Sequence, residues 1–196
     1  MGLVAGIVLA AGRSSRMGQP KALLEIDGET FLGRAVRTLR EAGCDPVVAV
    51  IPPGADTRMT EIAEAAGGRA IENPDADAEQ IDSLRAGLHE IGGEAEAAIV
   101  LPVDFPLAGA TVARALRAAW LARRAPIVRP THAGRPGHPV LFARPVWAEL
   151  DAPDLEHGAR EVVHRHHAQV LDVPLDDAGV TADVNTPEEY ARVSGP

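Results

Sequence analysis

The sequence predicts an α/β protein, a three-layer α/β/α sandwich around a mostly parallel central sheet. Three observations carry that expectation. Apolar runs of strand length occur at Leu3–Ala11, Val47–Ile51 and Ala97–Val103 without polar alternation, as strands buried on both faces require. Segments of helical periodicity lie between them, which is how parallel strands are connected. The chain has 196 residues, 46% hydrophobic and 24% charged, ordinary values for one soluble domain with its own core. Residues 1–196 are accordingly read as a single domain.

The elements follow in order. After the first strand comes a polar loop, Gly12–Lys21. Thr30–Gly43 reads as a helix with Phe31, Leu32, Ala35, Val36 and Leu39 on one face, Thr30 as its cap and Gly43 as its stop. Val47–Ile51 is a second buried strand, ended by Pro52-Pro53-Gly54. A helix over Thr57–Ala66 leads to a short strand, Ala70–Glu72, before Asn73-Pro74. Gln80–Ile91 is helical through Ile81, Leu84, Leu88 and Ile91, and Ala97–Val103 is a strand ending at Asp104. Gly109–Arg124 is an Ala-rich helix, and Ile127–Arg129 a short strand closed by Pro130. Thr131–Pro139 reads as a loop and Val140–Phe142 as a strand. Two short helices (Pro145–Leu150, Gly158–His166), a strand (Gln169–Val173) and a helix with proline in its first turn (Pro187–Val193) complete the chain.

Charge and cysteine content narrow the function. Lys plus Arg number 19 against 28 Asp plus Glu, a formal net charge of −9. That balance argues against nucleic acid, whose phosphates need clustered cations, and against an anionic membrane surface. Cys44 is the single cysteine, which excludes an internal disulfide and a cysteine metal cage and fits a reducing, cytoplasmic setting. Leu3–Ala11 falls short of the roughly 20 residues a membrane span takes.

Ligands of parallel sheets bind beyond the carboxyl ends of the strands. That rule selects Gly12–Lys21, Pro52–Gly54, Asn73 and Asp104. The first loop gathers Arg13, Arg16 and Lys21 with two glycines and two serines. Small residues let backbone N–H groups approach an oxyanion, and the cations neutralise phosphate. The spacing is neither the dinucleotide fingerprint nor the P-loop, and the segment also reads as a solvated loop. Asp104, directly beyond an apolar strand, is placed to hold a hard cation such as Mg²⁺, which takes one or two carboxylates and completes its shell with water and substrate phosphate. Asp183 offers a second carboxylate if the fold brings it near. Either acid also reads as a turn or cap residue.

The segment Leu9-Ala10-Ala11-Gly12-Arg13-Ser14-Ser15-Arg16-Met17-Gly18-Gln19-Pro20-Lys21 resembles the signature of Rossmann-like nucleotidyltransferases, and within them the molybdenum cofactor cytidylyltransferase-like family. The likeness continues at Asn73-Pro74-Asp75, Ser83–Leu88, Val103–Leu107, Gly134–Val140 and Asp183–Glu188. It implies Mg²⁺-dependent transfer of a nucleoside monophosphate from an NTP to a phosphorylated acceptor, most simply molybdopterin, with pyrophosphate released. Handover of the product to a molybdoenzyme is implied with it. Arg16, Lys21 and Asp104 would be catalytic, and Asp104 and Asp183 the metal ligands. Leu9, Ala10, Ala11, Gly12, Arg13, Arg16, Lys21, Pro52, Asn73 and Ser83 would line the nucleotide, and His138 would meet the acceptor. Guanylyl-transferring relatives usually carry Gly-Gly where this chain has Ala10-Ala11, which favours CTP. Guanylyl transfer, transfer to a sugar or alditol phosphate, and a non-catalytic carrier remain as alternatives.

Two features sit awkwardly with that reading. Asp75, Asp77, Glu79 and Asp82 make one stretch acidic, which would repel an anionic acceptor. The same acids suit a helix start. His164, His166 and His167 suggest metal, but only His164 and His167 share a helix face, and a solvated helix end accounts for them.

Overall fold

The computed structural model describes residues 2–12, 17–73, 75 and 79–195. Ten strands and seven α-helices alternate among them. The strands are β1 (Val4–Leu9), β2 (Glu25–Ile26), β3 (Glu29–Thr30), β4 (Val47–Ile51), β5 (Arg69–Glu72), β6 (Ala97–Pro102), β7 (Ile127–His132), β8 (Arg135–Pro136), β9 (Val140–Ala143) and β10 (Val170–Pro174). The helices are α1 (Phe31–Glu41), α2 (Thr57–Ala65), α3 (Gln80–Ile91), α4 (Ala110–Arg123), α5 (Trp147–Leu150), α6 (Ala159–Arg165) and α7 (Pro187–Ser194).

The main sheet runs β10-β7-β9-β6-β1-β4-β5, with β8 attached to β7. β1 pairs in parallel with β4 and β6, and β4 with β5, while β9 runs antiparallel to both β6 and β7. Each of the central strands is buried on both faces. In β1, Val4 and Val8 enter one apolar cluster with Phe31, Leu32, Val36 and Leu39 of α1 and Leu116 and Trp120 of α4. Ala5, Ile7 and Leu9 enter a second cluster with Leu84 and Leu88 of α3, Trp147 and Val162. Alternate side chains of one strand thus feed two cores, as the pleat demands, and the three-layer expectation holds. Among the described residues no helix is long and apolar enough to cross a membrane.

Local signals explain the element ends. The Thr30 hydroxyl accepts from Gly33 N at 3.1 Å to cap α1. Thr186 caps α7, and the Glu189 carboxylate returns to the Asn185 and Thr186 N–H groups at 2.7 and 3.0 Å. Two departures from the sequence reading are both hairpins. β2 and β3 are joined by Asp27 (φ 54°) and Gly28 (φ 75°), the backbone pair of a type I′ turn. β7 does not stop at Pro130 but continues to His132, turning through Ala133 (φ 49°) and Gly134 (φ 75°) into β8. Pro130 lacks an N–H, yet its carbonyl accepts from Gly137 N at 2.9 Å, so the strand passes the proline without an unpaired donor.

Candidate active site

The parallel strands β1, β4, β5 and β6 end along one edge, and their ends are stitched to one another. Ala10 N donates to Val50 O at 2.9 Å, Asn73 N to Ile51 O at 2.8 Å and Val103 N to Leu9 O at 3.0 Å. Leu9, Ala10, Pro52 and Asn73 are therefore neighbours along this edge, with Ala11 and Gly12 just beyond it. Asn73 and Ser83 are both buried, and the Asn73 amide donates to the Ser83 hydroxyl at 3.0 Å. That bond ties the start of α3 to the end of β5.

Asp104 lies two residues beyond β6. Its backbone carbonyl accepts from Val184 N at 2.8 Å, which brings the Asp183–Asn185 turn across 80 residues of sequence. Lys21, the first residue of a short 3₁₀ turn (Lys21–Leu23), reaches the same place from the other side. Its Nζ donates to Asn185 Oδ1 at 2.6 Å and stands 3.8 Å from Asp104 Oδ2. The Asn185 amide in turn donates to Asp183 Oδ2. One cation, two acids and one amide, all singled out in sequence except the amide, thus converge.

The electrostatics of this cluster are unbalanced. Burial pushes the Asp104 carboxyl above its ordinary range; Lys21 pulls it down, and the nearby Asp183 carboxylate pushes it up again. Among the described residues Asp104 Oδ1 is buried without a hydrogen-bond partner. A buried oxygen of this kind beside a second acid calls for a proton or a cation. No group of three or more His, Cys, Asp or Glu among the described residues is arranged to hold a metal. Two carboxylates are nonetheless enough for a hard divalent ion whose shell substrate phosphate completes.

A cleft of about 690 Å³ opens next to this cluster, between α3 and the 156–163 segment. Asp183, Phe105 and His138 line it, over an apolar floor of Leu9, Val100, Val140 and Phe142. The His138 ring lies 4.5 Å from the Phe105 ring, centroid to centroid. Burial lowers the His138 imidazole to about 4, against the pull of Asp183 and with the help of Arg160, so it is neutral at pH 7. Its Nδ1 is buried without a partner among the described residues.

Arg13 and Arg16 lie outside the described residues, as do Pro74 and 76–78, so the structure says nothing of their place. Asp82, which read as repulsive to an acceptor, is consumed by structure. Its Oδ2 accepts from Glu79 N at 2.9 Å and its Oδ1 from Arg85 Nη1 at 2.9 Å. Arg85 spans further, from α3 to the carbonyls of Leu150 and Ala152. The histidines bear out a helix end: the His164 and His167 rings stack at 6.0 Å, and His166 meets Glu149 at 2.7 Å. Sequence reasoning missed Asn185 and Arg85. The Asp-Val-Asn-Thr-Pro stretch points to Asp183 as an acid and to a helix start, with no role for the amide between them, and a lone arginine on a helix gives no local sign of its partners.

The architecture and the strand-edge cluster define the class as a Rossmann-like nucleotidyltransferase fold. The chain belongs to the family described as the MobA-like NTP transferase domain, which it matches over residues 6–170. It is 24% identical to the molybdenum cofactor cytidylyltransferase of Escherichia coli K12, over 94% of this chain and 92% of that protein. It is 33% identical to a probable molybdenum cofactor guanylyltransferase of Opitutus terrae, over 96% and 94%. A crystal structure of the Mycobacterium tuberculosis H37Rv protein Rv0371c in complex with manganese superimposes with a TM-score of 0.77 at 28% identity, covering 98% of each chain.

Proposed function

We propose that this chain acts as a single-domain, divalent-metal-dependent nucleotidyltransferase of the cytoplasm. It transfers a nucleoside monophosphate from an NTP to a phosphorylated acceptor, the pterin of the molybdenum cofactor, and passes the product to a molybdoenzyme. The observation that supports this most is the meeting of Lys21, Asp104, Asp183 and Asn185 at the strand edge.

Lys21, joined by Arg16 and Arg13 from the same loop, neutralises the triphosphate and stabilises the leaving pyrophosphate. Asp104 and Asp183 hold Mg²⁺, the orphaned Oδ1 of Asp104 being the natural ligand atom. When bound, the ion supplies charge neutralisation across the phosphate oxygens. Leu9, Ala10, Ala11, Gly12, Pro52, Asn73 and Ser83 form the nucleotide side, with the buried Asn73–Ser83 bond fixing the start of α3. His138, kept neutral by burial, approaches the acceptor as a donor or acceptor of hydrogen bonds. The chemistry is positioning and charge neutralisation, so no serine or cysteine nucleophile is required, and Cys44 is buried with its thiol pushed up to about 12.

CTP is the favoured donor, because methyl groups at Ala10 and Ala11 leave less room than Gly-Gly beside the base. GTP is the second reading, supported by the 33% identity to a guanylyltransferase-named relative. The deciding experiment is a pyrophosphate-release screen of the four NTPs against molybdopterin and phosphorylated alcohols, with Mg²⁺ or Mn²⁺. The expected result is release with CTP and molybdopterin. A folded protein that releases pyrophosphate with no pair overturns the enzyme reading and leaves a nucleotide or pterin carrier.

A further inference from the structure

Lys21 is the single lysine of the chain; every other member of its 19 Lys plus Arg is arginine. An ammonium is a point charge on a flexible stem and lacks the rigid fork of a guanidinium, so its position must come from its neighbours. Two contacts from the α7 end of the chain supply it. Asn185, just before the helix, takes Lys21 Nζ at 2.6 Å. Tyr190, in the helix itself, donates its hydroxyl to Glu25 O at 2.9 Å. That carbonyl faces away from the hairpin ladder. Phe31 N donates to Leu24 O at 2.8 Å, so Glu25 and Thr30 form the next, non-hydrogen-bonded pair. The Tyr190 ring stands edge-on to the buried Phe31, centroids 6.0 Å apart. Lys21 O accepts from Leu24 N at 3.0 Å, which makes the stretch from Lys21 to Glu25 one short turn. Asn185 and Tyr190 thus hold that turn at both ends, by the side chain at Lys21 and by the backbone at Glu25. Both lie beyond residues 6–170, the part that matches the family.

We propose that Tyr190 is a positioning residue for turnover: its hydroxyl fixes the turn from Lys21 to Glu25 and thereby the place of the Lys21 ammonium. This rests on the nucleotidyltransferase reading, in which Lys21 stabilises the leaving pyrophosphate. Tyr190 acts through Lys21 and on no substrate atom. A charged donor stabilises a transition state to the extent that its geometry is set beforehand. Asn185 alone holds Nζ but not the backbone beneath it. That backbone runs into β2 and β3, which have two residues each, and a lone hairpin of this size is marginal in water. Glu25 itself is exposed, so burial does not hold it either. The Tyr190 bond ties this weak element to a helix whose own start carries Asn185.

The test uses the full chain with Tyr190→Phe, Lys21→Ala, the double variant and Ser194→Ala. Tyr190→Phe keeps the ring against Phe31 and removes only the donor. Ser194 Oγ donates to Tyr190 O at 2.8 Å, so Ser194→Ala loosens α7 without touching the Glu25 bond. With CTP and molybdopterin, Tyr190→Phe should lower kcat about fivefold and leave the acceptor KM unaltered, while Ser194→Ala should leave kcat unaltered. In the Lys21→Ala background Tyr190→Phe should lower kcat no further, because the two act as a unit. With one lysine in the chain, protein carrying isotope-labelled lysine gives one lysine side-chain signal in nuclear magnetic resonance. Tyr190→Phe should shift or broaden that signal before any substrate is added. An unchanged kcat in Tyr190→Phe, a further loss in the double variant, an equal loss in Ser194→Ala or an unmoved lysine signal overturns the positioning role while leaving nucleotidyl transfer standing. A lysine signal that moves in Tyr190→Phe, beside a wild type that transfers nothing from any NTP, overturns the transfer reading instead, with the positioning of Lys21 intact.

Discussion

The Lys21–Asp104 end of the site and the Arg135–Arg160 end are built on different plans. At the first, Lys21 and Asp104 are half-buried and paired with each other, Lys21 also donates to Asn185, and the exposed Asp183 carboxylate accepts from the Asn185 amide. At the second, the exposed Arg135 and Arg160 line the cleft together with Glu79 and Glu156, over an apolar floor. A partner at fixed distance suits a constant group such as a triphosphate, whose charge the site must meet in one geometry. An open rim of mixed charge over an apolar floor suits a variable body. The contrast predicts that substitutions at the Lys21–Asp104 end lower turnover and that those at the open end alter recognition.

The largest expected effect breaks the buried end. Lys21→Ala should lower kcat by about 100-fold or more, with circular dichroism showing an unchanged fold; equal kcat would remove Lys21 from the chemistry. Next comes the backbone between the two ends. A Cβ at Gly137 would meet Val180 O at 2.0 Å, and backbone cannot yield as a side chain does. Gly137→Ala should therefore cost about 1–3 kcal/mol in denaturant unfolding and weaken acceptor binding more than NTP binding. Asn73→Ala leaves the buried Ser83 hydroxyl without its partner and should cost about 1–2 kcal/mol, read by the same unfolding curves; Ser83→Ala alone should cost no more.

The smallest effect sharpens the comparison through pH. The Asn185 N–H, then that of Thr186, hold the Glu189 carboxyl below its ordinary value of 4.5. A lowered folded value means that this cap stabilises above pH 4.5 and is lost as pH falls through the folded value. Thermal unfolding of wild type and Glu189→Gln should differ at pH 7 and converge toward acid. A gap that persists unchanged at low pH would show that the charge of Glu189 is not what orders Asn185.

The elements most legible in sequence were those whose burial leaves no choice. β1, β4 and β6 are apolar on both faces because two cores meet there, so their runs stand out. The β2–β3 hairpin was missed because two-residue strands carry no periodicity, although Asp27-Gly28 is a recognised hairpin signal. β7 was cut short at Pro130 because a proline usually ends pairing; here its carbonyl does the pairing. In the site, Lys21 and Asp104 were visible from their place after strands. Asn185 was not, because its partner Lys21 is 164 residues away and nothing local encodes that contact. Of the two readings of the acids around Asp82, the helix start is the one Asp82 fulfils, its carboxylate accepting from Glu79 N and from Arg85 one turn along α3.

The most direct test of the account is a Mn²⁺ titration in the presence of a non-hydrolysable CTP analogue, followed by electron paramagnetic resonance. Wild type and Asp104→Asn are compared, both shown folded by thermal melting. The account expects the wild type to take up the ion with the nucleotide and Asp104→Asn to lose that uptake by about tenfold or more. Equal uptake by the two proteins would contradict it.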